Sequence, residues 1–316
     1  MTPVVENFRR RKNRMKRIVV IGSLNMDLVT QTNRVPVMGE TLTGTAFKTI
    51  CGGKGGNQAF AAAKLGGNVT MLGCVGADVF GRELIRSLSE QGVNCNGIAV
   101  RDNVESGTAS ITVCDGDNSI IIIPGANGTV SKTYIDAHLD IIKNADFIIL
   151  QLEIPLETVA YIAEVAYEAG IPVMLNPAPA AVLPEEVLQK VAYIIVNETE
   201  CEFYTGEKVS TVEEAKEGVR LLKQKGIQHA IVTLGSQGAV YDDGEVVSYE
   251  PARKVQAVDS TAAGDTFTAA VVVSLLEGKM MKEAISFATV ASSITVTRVG
   301  AQTSIPSREE VENEKK

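Results

Sequence analysis

Short apolar runs recurring between amphipathic stretches constrain this chain more than any other feature. Arg17 to Gly22 (RIVVIG), Val69 to Val75 and Asp146 to Gln151 (DFIILQ) read as buried strands, as do Pro172 to Leu175, Tyr193 to Asn197 and His229 to Leu234. Between them lie helical patterns at Phe80 to Gln91, Leu156 to Ala169 and Val212 to Lys225, together with Gly52 to Leu65, a glycine turn that runs into an Ala-rich helix. Strands that are apolar throughout need cover on both faces, and alternation with helices lays them parallel. The pattern therefore predicts a three-layer α/β/α fold around a mainly parallel sheet. At 316 residues and 45% hydrophobic content, the chain can build it as one large domain or two smaller ones.

Two regions break the rhythm. Residues near 28–51 and 104–124 hold short Val/Thr/Ile-rich segments of alternating polarity, such as Thr108 to Val113 and Ser119 to Ile123, with turn residues rather than helices between them. A small separate sheet is expected there, and the Ile120–Ile123 run is apolar enough to need covering. A lid or a dimer clasp accounts for both properties; an edge hairpin is the plainer alternative.

A formal net charge of −8 argues against a nucleic-acid partner, which calls for a basic face. The one basic run, Arg9 to Lys12 with Arg14, Lys16 and Arg17, reads as a solvated tail. Cys51, Cys74, Cys95, Cys114 and Cys201 are odd in number and far apart, which suits free thiols in a reducing cytoplasm. No apolar run approaches the roughly 18 residues of a membrane span, so no membrane partner is expected. Met15 precedes the first strand, and residues 1–14 read as an extension or an alternative start, apart from a domain over 15–316.

The residues able to do chemistry cluster after the strands, where open α/β sheets bind ligands. Asp259-Ser260-Thr261-Ala262-Ala263-Gly264-Asp265 joins a small-residue turn to a long helical pattern, a cradle in which backbone N–H groups can approach an anion with a carboxylate at hand. The alternative is a capped helix with Ser260 or Thr261 as N-cap. Asn25 and Asp27, just past the first strand, suit neighbouring hydroxyls on a ligand, or form an Asx-turn. Gly52-Gly53-Lys54-Gly55-Gly56-Asn57-Gln58 is neither GxGxxG nor a Walker loop, yet so many glycines imply close backbone approach around the Lys54 charge. Gln151-Leu152-Glu153 and Asn176-Pro177-Ala178-Pro179 follow buried strands. In Asn197-Glu198-Thr199-Glu200 an amide and a carboxylate share a helical face, fit either to organise water around Mg²⁺ or to cap the helix. Thr233 to Gly238 (TLGSQG) forms a backbone-rich loop, while His138 and His229 lie outside every cluster, leaving little support for His-dependent hydrolysis.

In this order and spacing, GGKGGN, NETE, TLGSQG and DSTAAGDTF, with GSLNMD, QLE, NPAPA and RVGAQTSIP, resemble the ribokinase-like (PfkB) carbohydrate kinase family over about Arg17 to Arg308. The resemblance implies transfer of the ATP γ-phosphoryl group to a sugar hydroxyl, with the 5-hydroxyl of D-ribose as the expected acceptor. It makes Asp265 the base and the N–H groups of Ala262, Ala263 and Gly264 the anion hole. Asn25, Asp27, Gly53, Lys54, Gly55, Gly56, Asn57 and Glu153, with Asp265, match sugar-binding positions. Asn197, Thr233, Gly235, Ser236, Gly238, Gly264 and Thr289 match nucleotide-binding ones. Glu200 is implied in Mg²⁺ binding through water, and Asp259, Thr261, Thr295, Arg298, Gly300 and Ser304 in an activating K⁺ site. The small sheet becomes a lid that pairs with a second copy in a homodimer. Alternatives are a kinase for deoxyribose, fructose or a sugar acid, and a non-catalytic sugar sensor. A nicotinamide-dependent reductase is disfavoured by the absence of GxGxxG after RIVVIG.

Overall fold

The computed structural model describes residues 15–114, 117–244 and 246–314; the expected extension over 1–14 falls outside them. In chain order the strands are β1 (Arg17–Ile21), β2 (Asn25–Gln31), β3 (Ala46–Gly52), β4 (Asn68–Gly76), β5 (Asn94–Arg101), β6 (Gly107–Cys114) and β7 (Asp117–Ile123). They continue with β8 (Phe147–Leu150), β9 (Val173–Leu175), β10 (Tyr193–Val196), β11 (His229–Thr233), β12 (Gly238–Asp242) and β13 (Val247–Pro251). The helices of seven residues or more are α1 (Lys54–Lys64), α2 (Val79–Glu90), α3 (Leu156–Glu168), α4 (Glu198–Thr205), α5 (Val212–Gln224), α6 (Ala263–Leu276), α7 (Met281–Thr295) and α8 (Arg308–Glu314).

Nine strands form the central sheet in the order β13-β12-β11-β10-β9-β8-β1-β4-β5. From β5 to β11 every pairing is parallel, while β12 and β13 close one edge antiparallel. Alternate side chains of β1 enter two separate cores. Val19 and Ile21 pack with buried residues of α3, α4 and α5, whereas Ile18 and Val20 pack with those of α1, α2, α6, α7 and α8. Each such Ile or Val, removed from water, contributes about 1.5–3 kcal/mol. The three-layer architecture thus follows from apolar strands with period-2 side chains between two helical layers. Helix α6 (AGDTFTAAVVVSLL) is buried almost all round, as its lack of a polar face requires.

The four remaining strands form the small sheet, ordered β3-β2-β6-β7, with β2 and β6 parallel and the outer pairs antiparallel. It begins at Asn25, earlier than the break near residue 28, because β2 starts within the loop that leaves β1. Leu24 is the last residue before this sheet, and the buried Asn127 carboxamide serves it as a neighbouring strand would. Leu24 N–H donates to Asn127 Oδ1 at 2.8 Å, and Asn127 Nδ2 donates to Leu24 O at 3.2 Å and to Asn25 Oδ1 at 2.7 Å.

The start of α1 presses against the loop after β1. A Cβ on Gly55 would lie 2.7 Å from both Gly22 C and Ser23 N, and 2.8 Å from Ser23 O. These are backbone atoms that no rotamer change can move, so contact at this distance is open only to glycine. Gly55→Ala is expected to cost about 3 kcal/mol, at the upper end of overpacking losses. Urea denaturation checks this, and a loss below about 0.5 kcal/mol, the size of an ordinary surface change, would contradict the close approach.

Candidate active site

A cavity of about 780 Å³ opens between the small sheet and the C-terminal side of the large one. Strand β1 sits where the topology reverses, with β4 on one side and β8 on the other, the place where a crevice forms in a doubly wound sheet. Asn25, Asp27, Gly53, Lys54, Asn57, Glu153, Glu200, Asp259, Thr261, Ala262, Asp265 and Gly300 all line this one cavity, although they come from widely separated stretches. Gly55 and Gly56 are buried beneath it in the first turn of α1.

Glu153 ties the floor together. Its Oε2 accepts from the Ser23 hydroxyl, from Lys54 N–H at 3.1 Å and from Asn25 Nδ2 at 3.4 Å. Asp265 is 8% exposed; Asn57 Nδ2 donates to its Oδ2 at 3.1 Å and Gln58 Nε2 to its Oδ1 at 2.9 Å. Burial alone would pull the Lys54 ammonium down, but the fields of Asp265, Glu153 and Glu200 more than offset it and hold it above the ordinary lysine range. Asp27 has no such compensation. Burial first, then the charges of Glu153 and Asp265, push its carboxyl up to about 7.

At the other wall, α6 is entered through Ala262, whose φ of 61° makes it the only non-glycine residue in the left-handed region among those described. That conformation costs roughly 1–2 kcal/mol, and it turns the chain sharply enough to aim the first turn of α6 at the cavity. The capped start that Ser260 or Thr261 could have supplied is not formed: Ala262 holds the N-cap position without a side-chain cap, and the Thr261 hydroxyl donates to Asp259 Oδ1 at 2.6 Å. The Ala263 N–H is directed to Ser260 O at 3.2 Å. The following N–H groups, of Gly264 and Asp265, have no acceptor within the helix by position. A Cβ on Gly264 would meet nothing within 4 Å, so protein packing does not demand glycine there and its absent side chain leaves open space over those donors.

Asn197 and Glu200 form a reciprocal capping box on α4, with Glu200 N–H donating to Asn197 Oδ1 at 2.8 Å and Asn197 N–H to Glu200 Oε2 at 3.0 Å. The box uses Oε2 and leaves Oε1 over on a residue that lines the cavity. Burial, only partly offset by the Asn197 N–H and Lys54, keeps this carboxyl above the usual range. Thr233 ends β11, Gly235 and Ser236 lie in a 3-10 turn, and Gly238 opens β12. They do not border the cavity. The turn nevertheless adjoins the start of α4, where Glu198 Oε1 lies 3.9 Å from the position of a Cβ on Gly235. Thr289, on α7, has a buried hydroxyl without a hydrogen-bond partner.

Of the six residues of the implied cation site, Thr295 ends α7 and the other five fall on two loops joined by Asp259. Its Oδ1 accepts from Thr261 N–H at 2.9 Å and its Oδ2 from Gly300 N–H at 2.9 Å. Burial raises the Asp259 carboxyl, but these donors and the Thr261 hydroxyl bring it below the usual range. Thr295 turns its hydroxyl inward to Ala291 O and Thr266, Ser304 donates its own to Ala301 O, and the Arg298 guanidinium pairs with Glu310. What these residues leave for a cation is backbone carbonyl oxygen. No group of three or more His, Cys, Asp or Glu suited to a metal occurs among the described residues. The donor set therefore fits a weakly held monovalent ion better than a transition metal.

Sequence reasoning gave no role to Gln58, Gln151, Asn176 or Asn127, although three of them stood inside quoted motifs. The available signal was polarity out of place, with amides in an Ala-rich helix and at the ends of apolar strands.

The raised Asp27 carboxyl makes stability depend on pH. Below about 4 the group is protonated in both folded and unfolded chains; above about 7 the fold must bury a charge that the unfolded chain leaves in water. Stability is therefore lost as pH rises through that window. Asp27→Asn is expected to remove the loss, gaining on the order of 3 kcal/mol over wild type at pH 8 and little at pH 4. Chemical denaturation at both pH values checks this, and an equal difference at each would contradict it.

Known proteins resemble this chain over nearly its whole length. The model of the pfkB family of carbohydrate kinases matches residues 15–308. A ribokinase of Bacillus subtilis is 41% identical over 94% of this chain and 99% of its own. A deoxyribokinase of Salmonella typhi is also 41% identical, over 93% and 96%. The structure of Arabidopsis thaliana ribokinase complexed with ribose and ATP superposes with a TM-score of 0.90 at 34% identity, covering 95% of this chain and 98% of that one. The chain belongs to the pfkB family of carbohydrate kinases.

Proposed function

We propose that this enzyme phosphorylates D-ribose at its 5-hydroxyl, using ATP and releasing ADP. The observation that carries the proposal is the meeting of Asp265, hydrogen-bonded and facing the cavity, with a helix N-terminus whose donors lie under open space. The sugar oxygen attacks the γ-phosphorus, the bond to the bridging oxygen of ADP breaks, and Asp265 takes the hydroxyl proton. The Gly264 and Asp265 N–H groups and the dipole of α6 support the charge on the transferring group. The Ala263 N–H would join them only by giving up Ser260 O.

Ribose is favoured by Asp27, which makes no hydrogen bond to protein among the described residues and so can accept from two adjacent hydroxyls beside Asn25. Deoxyribose is the second reading, supported by the equally similar deoxyribokinase relative. It would leave an acceptor of Asp27 unpaired, a loss of about 1–3 kcal/mol.

Asp27, Glu153, Glu200, Asp259 and Asp265 outnumber Lys48 and Lys54 around the cavity, so a triphosphate needs a cation of its own. Mg²⁺ would be held through water by Glu200, whose Oε1 is available, and would neutralise phosphate charge. K⁺ would be held by backbone oxygens of the Asp259 and Arg298–Ser304 loops and would steady the neighbouring turn at Ala262. The adenosine portion would occupy the TLGSQG turn, with the unpartnered Thr289 hydroxyl as a further candidate contact.

A homodimer joined through the small sheet is part of the proposal, supported by the apolar exposure of Ile121 at 65% and Ile123 at 51%. A cytoplasmic setting fits the free thiols of Cys51, Cys74, Cys95 and Cys201. No helix among the described residues is long and apolar enough to cross a membrane.

Asp265→Asn is expected to lower kcat by about 10³-fold or more while ATP binding persists; turnover within a few-fold of wild type would remove the base from the mechanism. Sedimentation at micromolar concentration should give twice the chain mass, and a monomer there would overturn the lid-mediated pairing.

A further inference from the structure

Behind Asp265 lies a run of buried side-chain amides that the proposed chemistry leaves without a role. Gln58, fully buried on α1, directs Nε2 to Asp265 Oδ1 at 2.9 Å and to Asn176 Oδ1 at 3.1 Å. Its Oε1 accepts from Gln151 Nε2 at 2.6 Å, and Asn176 Nδ2 donates to Ile195 O at 3.1 Å. Four elements take part: α1, the ends of β8 and β9, and β10.

The polarity of this run is determined at one end. A backbone carbonyl only accepts, so Asn176 must present Nδ2 to Ile195 O and turn Oδ1 toward Gln58. Gln58 must answer with Nε2, and the second hydrogen on that nitrogen reaches Asp265. With Gln58 so oriented, its oxygen can only accept, which sets Gln151. Inverting any one amide places oxygen against oxygen. At the outer end Gln151 Oε1 has no partner. Leaving a buried acceptor unpaired is costly, and the site bears that cost in the group that orients Gln58.

We propose that Gln58 is a positioning residue for phosphoryl transfer, held in one polarity by Asn176 and Gln151 so that Asp265 Oδ1 always meets a donor on its inner side. The proton taken from the sugar hydroxyl then goes to a carboxylate lone pair facing the cavity, and the carboxyl plane keeps its aim at the acceptor oxygen. This inference rests on Asp265 being the base.

The test compares kcat and KM for ribose and ATP in wild type, Gln58→Glu and Gln151→Met, each alone and combined with Asp265→Asn. Gln58→Glu keeps the size of the side chain and replaces the donor by an oxygen. It is expected to lower kcat by about 10²-fold with both KM values within about threefold. Gln151→Met, which removes the orienting donor, is expected to lower kcat by about threefold to tenfold in the same manner. Both losses should disappear in the Asp265→Asn background, because a residue acting through the carboxylate has nothing left to position. An unchanged kcat, or a loss that persists without the carboxylate, would overturn the inference. If Gln58→Glu does not fold, the Gln151→Met pair makes the same comparison. Failure of the base reading has a different signature: Asp265→Asn alone stays active, or wild type turns over no ribose, and the relay falls with it.

Discussion

Burying the Asp265 carboxylate is the constraint on which the rest of the site depends. Removing such a group from water costs several kcal/mol unless both oxygens find donors. Asn57 and Gln58 supply them from α1, and they reach Asp265 only because α1 begins in contact with the backbone of Gly22 and Ser23. The glycines at the start of α1, the amides one turn on, and the strained Ala262 that starts α6 are therefore parts of one arrangement. It brings two helix N-termini together over the end of β1.

The same region also controls the small sheet. Its strands leave and rejoin the body beside the base, and Asn127 clamps Leu24 and Asn25 there through three hydrogen bonds. Asp27 is carried on this sheet, in register with Ile50 and Ala109 and without a protein partner, whereas Glu153 and Asp265 belong to the body. Movement of the sheet would change the distance between Asp27, the proposed sugar-binding group, and Asp265, the proposed base. Under the proposed lid role, a sugar that satisfies the Asp27 carboxyl would draw the sheet down and couple recognition to the exclusion of water.

Much of the architecture was legible in the sequence because the inner strands are apolar throughout; RIVVIG and DFIILQ can be little else. The edge strands β5 and β13 carry mixed residues, NCNGIAVR and VSYEP, so periodicity did not mark them, and β12 (GAVYD) is a short run directly after the TLGSQG loop. The residues lining the cavity were legible for a different reason: polar and glycine residues interrupting apolar patterns at strand ends have few structural uses. Two features were out of reach. The left-handed Ala262 is a backbone conformation that alanine does not advertise, and the Thr261 hydroxyl, a candidate cap of α6, donates to Asp259. The amide relay depends on which way each carboxamide points, and only the Ile195 carbonyl, nineteen residues from Asn176, settles that.

In the proposed reaction an unpaired Asp27 carboxylate beside Asn25 selects a sugar with adjacent hydroxyls, and Asp265 takes the proton of the hydroxyl that receives the phosphoryl group. The most direct measurement is kcat/KM for ADP release with ATP, Mg²⁺ and K⁺ across ribose, 2-deoxyribose, fructose, 2-keto-3-deoxygluconate and adenosine. The account predicts ribose first, ahead of 2-deoxyribose by about 10- to 100-fold, the equivalent of one buried acceptor left unsatisfied. Equal or better turnover of 2-deoxyribose would contradict that selection while leaving the transfer chemistry in place, and silence on every sugar would contradict the kinase reading itself.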